Sequence, residues 1–223
     1  MKTLNLIFLM CILLVFQSCH GQHLDLGKVS LPIKSDELKI LDLSNSGAGI
    51  GTREMQYTSY VPNAKKSISF GGILIPESNS SSESLVRFYS SNNGKTFQGY
   101  TLNLFNPDAF KKVLDYLIKN KSQFNLVFDD GKDSDERARV FISKTNGIIY
   151  LLLSMSNSES KKTGYIDGVG DGETALLSAR IGGSFGYYEA FLDYKKQKAA
   201  SFSYLDFLRE TNNELYKNSN NLK

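Results

Sequence analysis

From Leu38 onward the chain breaks into short apolar runs separated by Gly, Asn and Ser, the punctuation of strands and turns. This pattern predicts strands over Leu38–Leu43, Met55–Tyr60, Ile68–Ile75, Leu85–Tyr89 and Thr96–Phe105, with Asn79-Ser80-Ser81-Ser82 as a solvated loop. At Asn106-Pro107-Asp108 the signal changes. A cap acceptor is followed by a proline whose missing N–H costs nothing at the first helical position, then by an acid at the positive end of the helix dipole. Phe110, Val113, Leu114, Leu117 and Ile118 continue at helical spacing and make one apolar stripe, so a helix laid across a sheet is expected.

Phe124, Leu126 and Phe128 alternate with Gln123, Asn125 and Val127 and predict another strand. Arg137–Ser143 and Ile148–Ser154 flank Lys144-Thr145-Asn146-Gly147, and Asn-Gly between such runs predicts a hairpin. Its second arm, Ile148-Ile149-Tyr150-Leu151-Leu152-Leu153, offers apolar side chains to both faces, as a central strand covered on both sides would. Two more strands are expected at Ala175–Ile181 and Tyr187–Tyr194, joined through Gly182-Gly183-Ser184-Phe185-Gly186. A closing helix should start near Ser203, with Asp206 completing a capping box and Leu205, Leu208 and Leu215 turned inward. The expected fold class is α+β: a mainly antiparallel sheet with two or three helices packed on it.

The N-terminus follows a different rule. Lys2 precedes an unbroken apolar run from Leu6 to Phe16, too short for a span that needs about 20 apolar residues, and Gln17-Ser18-Cys19 follows. Phe16-Gln17-Ser18-Cys19 resembles the lipobox of bacterial lipoproteins, with Phe16 and Gln17 departing from the usual Leu and small residue. The resemblance covers residues 1–19 only, and it implies cleavage after Ser18 and lipidation of Cys19. Several acyl chains on one cysteine, at about 0.8 kcal/mol per buried CH₂, would anchor the chain to a membrane effectively permanently. His20 stands where enteric lipoproteins retained in the inner membrane carry Asp, so the resemblance implies the outer membrane, on its periplasmic or surface side. The expected organisation is a removed signal peptide over 1–18, a lipidated tether over 19–37 and a single globular domain over 38–223.

Composition sharpens this mainly by subtraction. The chain has 26 Lys+Arg against 23 Asp+Glu, a net charge of +3, which falls to about +2 once Lys2 leaves with the signal. No polybasic footprint for nucleic acid is present. Both Cys and both His fall within the first 23 positions and Trp is absent. After His23 a Ser-His-Asp triad, a Cys nucleophile and a zinc site built from Cys or His are therefore all excluded. Carboxylate, Tyr, Lys, Arg and Ser chemistry is what remains.

Two acidic clusters deserve weighing. Asp129-Asp130-Gly131-Lys132-Asp133-Ser134-Asp135-Glu136 offers oxygen ligands, of which Asp130 and Asp133 are the candidates for Ca²⁺, but it lacks the spacing of an EF-hand loop and carries Lys132, Arg137 and Arg139 as neutralising neighbours. Asp167-Gly168-Val169-Gly170-Asp171-Gly172-Glu173 is the better metal candidate, through Asp167, Asp171 and Glu173 on a glycine-rich loop, though Val169 stands where an EF-hand would place a ligand. Ordinary turn and loop chemistry is the favoured account of both clusters. Ser46-Gly47-Ala48-Gly49-Ile50-Gly51 invites a phosphate-loop assignment but lacks Gly-Lys-Ser/Thr and a following helix, and predicts a loop instead. Twelve Tyr and fourteen Phe supply candidate stacking surfaces.

Three function classes remain. The first is a lipid-anchored, non-enzymatic binding or interaction protein with a protein partner, for instance an immunity-type inhibitor of an envelope-targeting toxin or an accessory subunit of an envelope complex. The second is a carboxylate-dependent hydrolase of envelope glycan, with or without Ca²⁺. The third is a structural envelope protein. No catalytic set stands out and no cofactor is required, so the binding class is the leading expectation.

Overall fold

The structure is a computed structural model that describes residues 23–51, 55–63, 67–76, 85–131, 136–156 and 162–211. Cys19 and the signal segment lie outside the described residues, as do Asp133, the 79–82 loop and Leu215.

Eight antiparallel strands form one sheet in the order β10-β11-β12-β13-β9-β7-β4-β3. They are β3 (Leu43–Gly51), β4 (Gln56–Pro62), β7 (Val86–Ser90), β9 (Gly99–Leu104), β10 (Phe124–Asp129), β11 (Arg137–Ser143), β12 (Ile149–Ser156) and β13 (Lys162–Val169). Two small sheets flank it. One is built from β1 (Leu24–Asp25), β5 (Ile68–Phe70) and β6 (Ile73–Ile75), the other from β2 (Ile33–Lys34) and β8 (Thr96–Phe97).

One face of the large sheet packs on α1 (Pro107–Lys119), on the three-stranded sheet and on a 3₁₀ turn at Ser35–Leu41. The start of α1 forms as the sequence predicts: Asn106 Oδ1 accepts from the amides of Asp108 and Ala109, each at 3.0 Å, with Pro107 in the first helical position. Phe110, Val113 and Leu117 are buried, while Ile118 at the end of the stripe is 40% exposed. The opposite face carries α2 (Thr174–Arg180), a short 3₁₀ turn at Gly183–Phe185, α3 (Gly186–Lys195) and α4 (Tyr204–Glu210). β12 serves both layers, with Tyr150 and Leu152 in the first core and Ile149, Leu151 and Leu153 in the second. The α+β class and the antiparallel sheet are thus as the sequence predicts, with four α-helices among the described residues rather than two or three.

Several boundaries differ for identifiable reasons. The segments 175–181 and 187–194 are helices α2 and α3, not strands. Ala175, Leu176, Leu177 and Ala179 are good helix formers with no β-branch, and Tyr188, Phe191 and Leu192 stand at i, i+3 and i+4 on the buried side of α3. The 46–51 stretch is part of β3, with a register shift between Asn45 and Gly49, rather than a loop. Leu38–Leu43 divides between the 3₁₀ turn and β3, Ile68–Ile75 is a hairpin, and Thr96–Phe105 divides into β8 and β9.

Strand β13 escapes sequence patterning because Gly164 and Gly168 weaken its β-propensity. Both glycines are required by close approach. A Cβ on Gly168 would meet the Tyr100 ring at 2.6 Å, and one on Gly164 would run into the Leu153 backbone carbonyl and then the Phe110 ring at 2.9 Å. In β10 a bulge between Leu126 and Phe128 moves Phe128 to the face opposite Phe124.

The span 23–37, expected as a tether, is woven into the first core. Leu24–Asp25 pairs in parallel with Ile68–Ser69, and Leu26 and Ile33 are fully buried. Among the described residues no helix is long and apolar enough to cross a membrane.

Candidate functional site

Asp167 lies on β13 between Thr101 of β9 and Leu151 of β12, where its side chain is completely buried on the face carrying the C-terminal helices. The chain leaves β13, turns through Gly170–Glu173 and enters α2, which returns Arg180 over the carboxylate. Arg180 Nε and Nη2 donate to Asp167 at 2.8 and 2.9 Å, a two-pronged contact that suits the planar guanidinium. Thr101 Oγ1 donates a short hydrogen bond to Asp167, and the Thr101 and Tyr89 hydroxyls lie 2.8 Å apart. The guanidinium sits between two aromatic rings, 5.8 Å from the Tyr89 centroid and 5.7 Å from that of Tyr165. Burial alone would push the Asp167 carboxyl up; the Arg180 charge and the two side-chain hydrogen bonds oppose it. Burial likewise acts to lower Arg180, and the Asp167 carboxylate reverses this and holds it above its ordinary value.

The other members of this acidic cluster diverge from Asp167. Asp171 is exposed at the turn, and Glu173 reaches β4, where it accepts from the Tyr57 hydroxyl at 3.1 Å. In the first cluster Asp129 is taken by Arg137 at 2.7 Å and Arg139 at 3.1 Å, and the buried Asp130 accepts from the Ala138 amide at 3.2 Å. Among the described residues no group of three or more His, Cys, Asp or Glu side chains is placed to hold a metal ion. Asp167 cross-links the sheet to α2, Glu173 ties the turn before α2 to β4, and Asp129 and Asp130 link β10 to β11. The partner that makes Asp167 structural, Arg180, lies thirteen residues on, in a segment whose sequence predicts a strand; recognising α2 as a helix is what would have found it.

A concave feature lies on the same face of the sheet. A cleft of about 690 Å³ opens between the β10–β12 end of the sheet, α3 and the 200–205 segment that leads into α4. Its floor is Val127, Ile142 and Ile149, its helical wall is Tyr188, Phe191 and Leu192, and Phe202, Tyr204 and Leu205 close the opposite side. Asn125, Asp171, Thr174, Lys195, Lys196 and Ser203 contribute polar groups. α4 is fixed at its start by a capping box: the Asp206 amide donates to Ser203 Oγ at 3.2 Å, and the Ser203 amide donates to Asp206 Oδ2 at 3.0 Å. An apolar hollow with a few convergent polar groups is the general form of a small-ligand site. No short motif could have announced it, because its walls come from residues 125 to 205 brought together only by folding.

Three tyrosines report on this side of the sheet. Burial first, then a neighbouring carboxylate (Glu173, Asp167 and Asp171 respectively), pushes Tyr57, Tyr165 and Tyr188 up to about 12. Their unfolded value is about 10, so the folded state favours the neutral phenol. The stability this contributes is complete below pH 10 and is lost as the pH rises toward 12. With no Trp in the chain, tyrosinate absorbance can be followed cleanly. A late phase near pH 12, coincident with loss of structure, is the expected result; titration of all twelve Tyr in one phase near 10 would contradict it.

Compared with family models, with curated proteins and with solved structures, the chain matches none of them.

Proposed function

We propose that this chain is a lipid-anchored envelope protein whose folded part binds a ligand in the α3–α4 cleft and does not transform it. The carrying observation is the cleft itself: about 690 Å³, walled by aromatic and aliphatic side chains with polar groups among them. In each acidic cluster a buried carboxylate, Asp167 in one and Asp129 in the other, is held by arginine, which supports binding over catalysis. The address comes from the lipobox resemblance at Cys19, and with it the outer membrane as the site of action, with a protein partner as a further contact of the anchored domain. This function needs no nucleic acid and no resident cofactor, so millimolar Ca²⁺ should leave the thermal midpoint unchanged.

Two measurements test the proposal. Cys19→Ser should move the exported protein from the membrane to the soluble fraction; continued membrane association would remove the anchor from the proposal. For the cleft, the neutral apolar dye Nile red should bind the full chain saturably at one site. Ala200→Trp, a change at an exposed position on the cleft wall, should abolish that binding. Equal dye binding by the two proteins would locate the apolar site elsewhere.

A further inference from the structure

Resting on the binding function proposed above, we infer that the cleft takes a single-chain fatty acid, with its carboxylate at Lys195 and its chain laid along α3 over Phe191 and Leu192. Three lysines, Lys195, Lys196 and Lys198, cluster where α3 ends. Two of them are already matched: Lys196 Nζ lies 2.7 Å from Asp193, and Lys198 Nζ lies 2.6 Å from Glu210. Lys195 is half-buried, lines the cleft and lies 5.5 Å from the centroid of the Phe191 ring, with no ion pair among the described residues. A half-buried ammonium resting on an apolar wall is complementary to one anionic group that arrives with an apolar body.

The charges in the cleft also set a direction. Asp171, the acid among the lining residues, belongs to the Tyr188 end, where after burial it is the next influence on that phenol. Lys195 is seven residues further along α3, about 10 Å at a rise of ~1.5 Å per residue. An anion is therefore attracted at one end and repelled at the other; along α3 the stretch between them offers Phe191 and Leu192, and Ile149 and Leu177 add apolar lining to the cleft. That is the layout of an extended amphiphile bound lengthwise. A cleft of about 690 Å³ falls within the range of roughly 300–1,000 Å³ of small-molecule sites.

The test uses the full chain, expressed without export so that Cys19 stays unmodified, titrated with cis-parinaric acid and separately with its methyl ester. The acid should bind about tenfold tighter than the ester, the effect of one charge-assisted contact. Lys195→Gln should abolish that preference, bringing the acid down to the affinity of the ester, and Lys195→Arg should keep it. Ala200→Trp should block both probes. Equal affinity for acid and ester would overturn the anionic head group while leaving the apolar cleft in place. Binding of Nile red but of neither probe would overturn the fatty acid alone. Failure of all three would overturn the cleft's binding function as well, and parinarate binding unaffected by Ala200→Trp would place the ligand outside the cleft.

Discussion

Arg180→Met is expected to lower stability by about 3–5 kcal/mol, the usual consequence of leaving a buried charge without its partner. The Asp167 carboxylate is completely buried, and the Arg180 fork at 2.8 and 2.9 Å is its cationic partner among the described residues. Removing the guanidinium leaves the Thr101 hydroxyl as a remaining donor to a carboxylate that burial already pushes toward the neutral form. Arg180→Lys should recover little, since an ammonium supplies neither the planar fork nor the fit between the Tyr89 and Tyr165 rings. The double change Asp167→Leu with Arg180→Met should be more stable than Arg180→Met alone, because it removes the orphaned charge together with its partner. Urea midpoints of the four proteins decide the matter. A loss below about 1 kcal/mol in the single Met variant would mean the pair is solvated and carries little.

The same pair shows where sequence stops informing. Elements dictated by their own neighbours were legible: the Asn106-Pro107-Asp108 helix start, the Ser203 capping box, and the Asn146-Gly147 hairpin, in which Gly147 takes a φ of 69°. β12 was legible as a central strand because apolar residues on both sides of a strand demand two covering layers. Elements whose identity depends on tertiary contact were not. β13 carries glycines because the Tyr100 ring lies against Gly168 and the Leu153 backbone and Phe110 ring against Gly164, a constraint that looks like a loop when seen only as composition. With β13 unrecognised, Asp167 looks like a loop acid free to bind metal, whereas pairing with β9 and β12 buries it. Short apolar runs such as 175–181 carry too few residues to separate a period of 2 from one of 3.6. The cleft depends on all of these placements at once.

Phe128→Ala should cost a further large amount, about 3–5 kcal/mol for emptying a fully buried aromatic site. The β10 bulge turns this ring into the C-terminal layer, where its centroid lies 4.8 Å from Tyr204, 5.5 Å from Tyr188 and 6.5 Å from Phe185. It thereby ties the sheet to α4, to α3 and to the turn between α2 and α3. Because Tyr188 and Tyr204 are also cleft walls, the variant should lose affinity for Nile red as well as stability. Phe110→Ala is the matched control. Phe110 is equally well buried but packs on the other side of the sheet under α1, so its loss should destabilise by a similar amount and leave cleft affinity unchanged where the protein remains folded. Hydrogen exchange should separate the two in the same way, with α3 and α4 opening first in Phe128→Ala and α1 opening first in Phe110→Ala. If both variants lost dye binding in proportion to stability, the two layers would behave as one cooperative unit and the cleft would not be a property of the C-terminal layer alone.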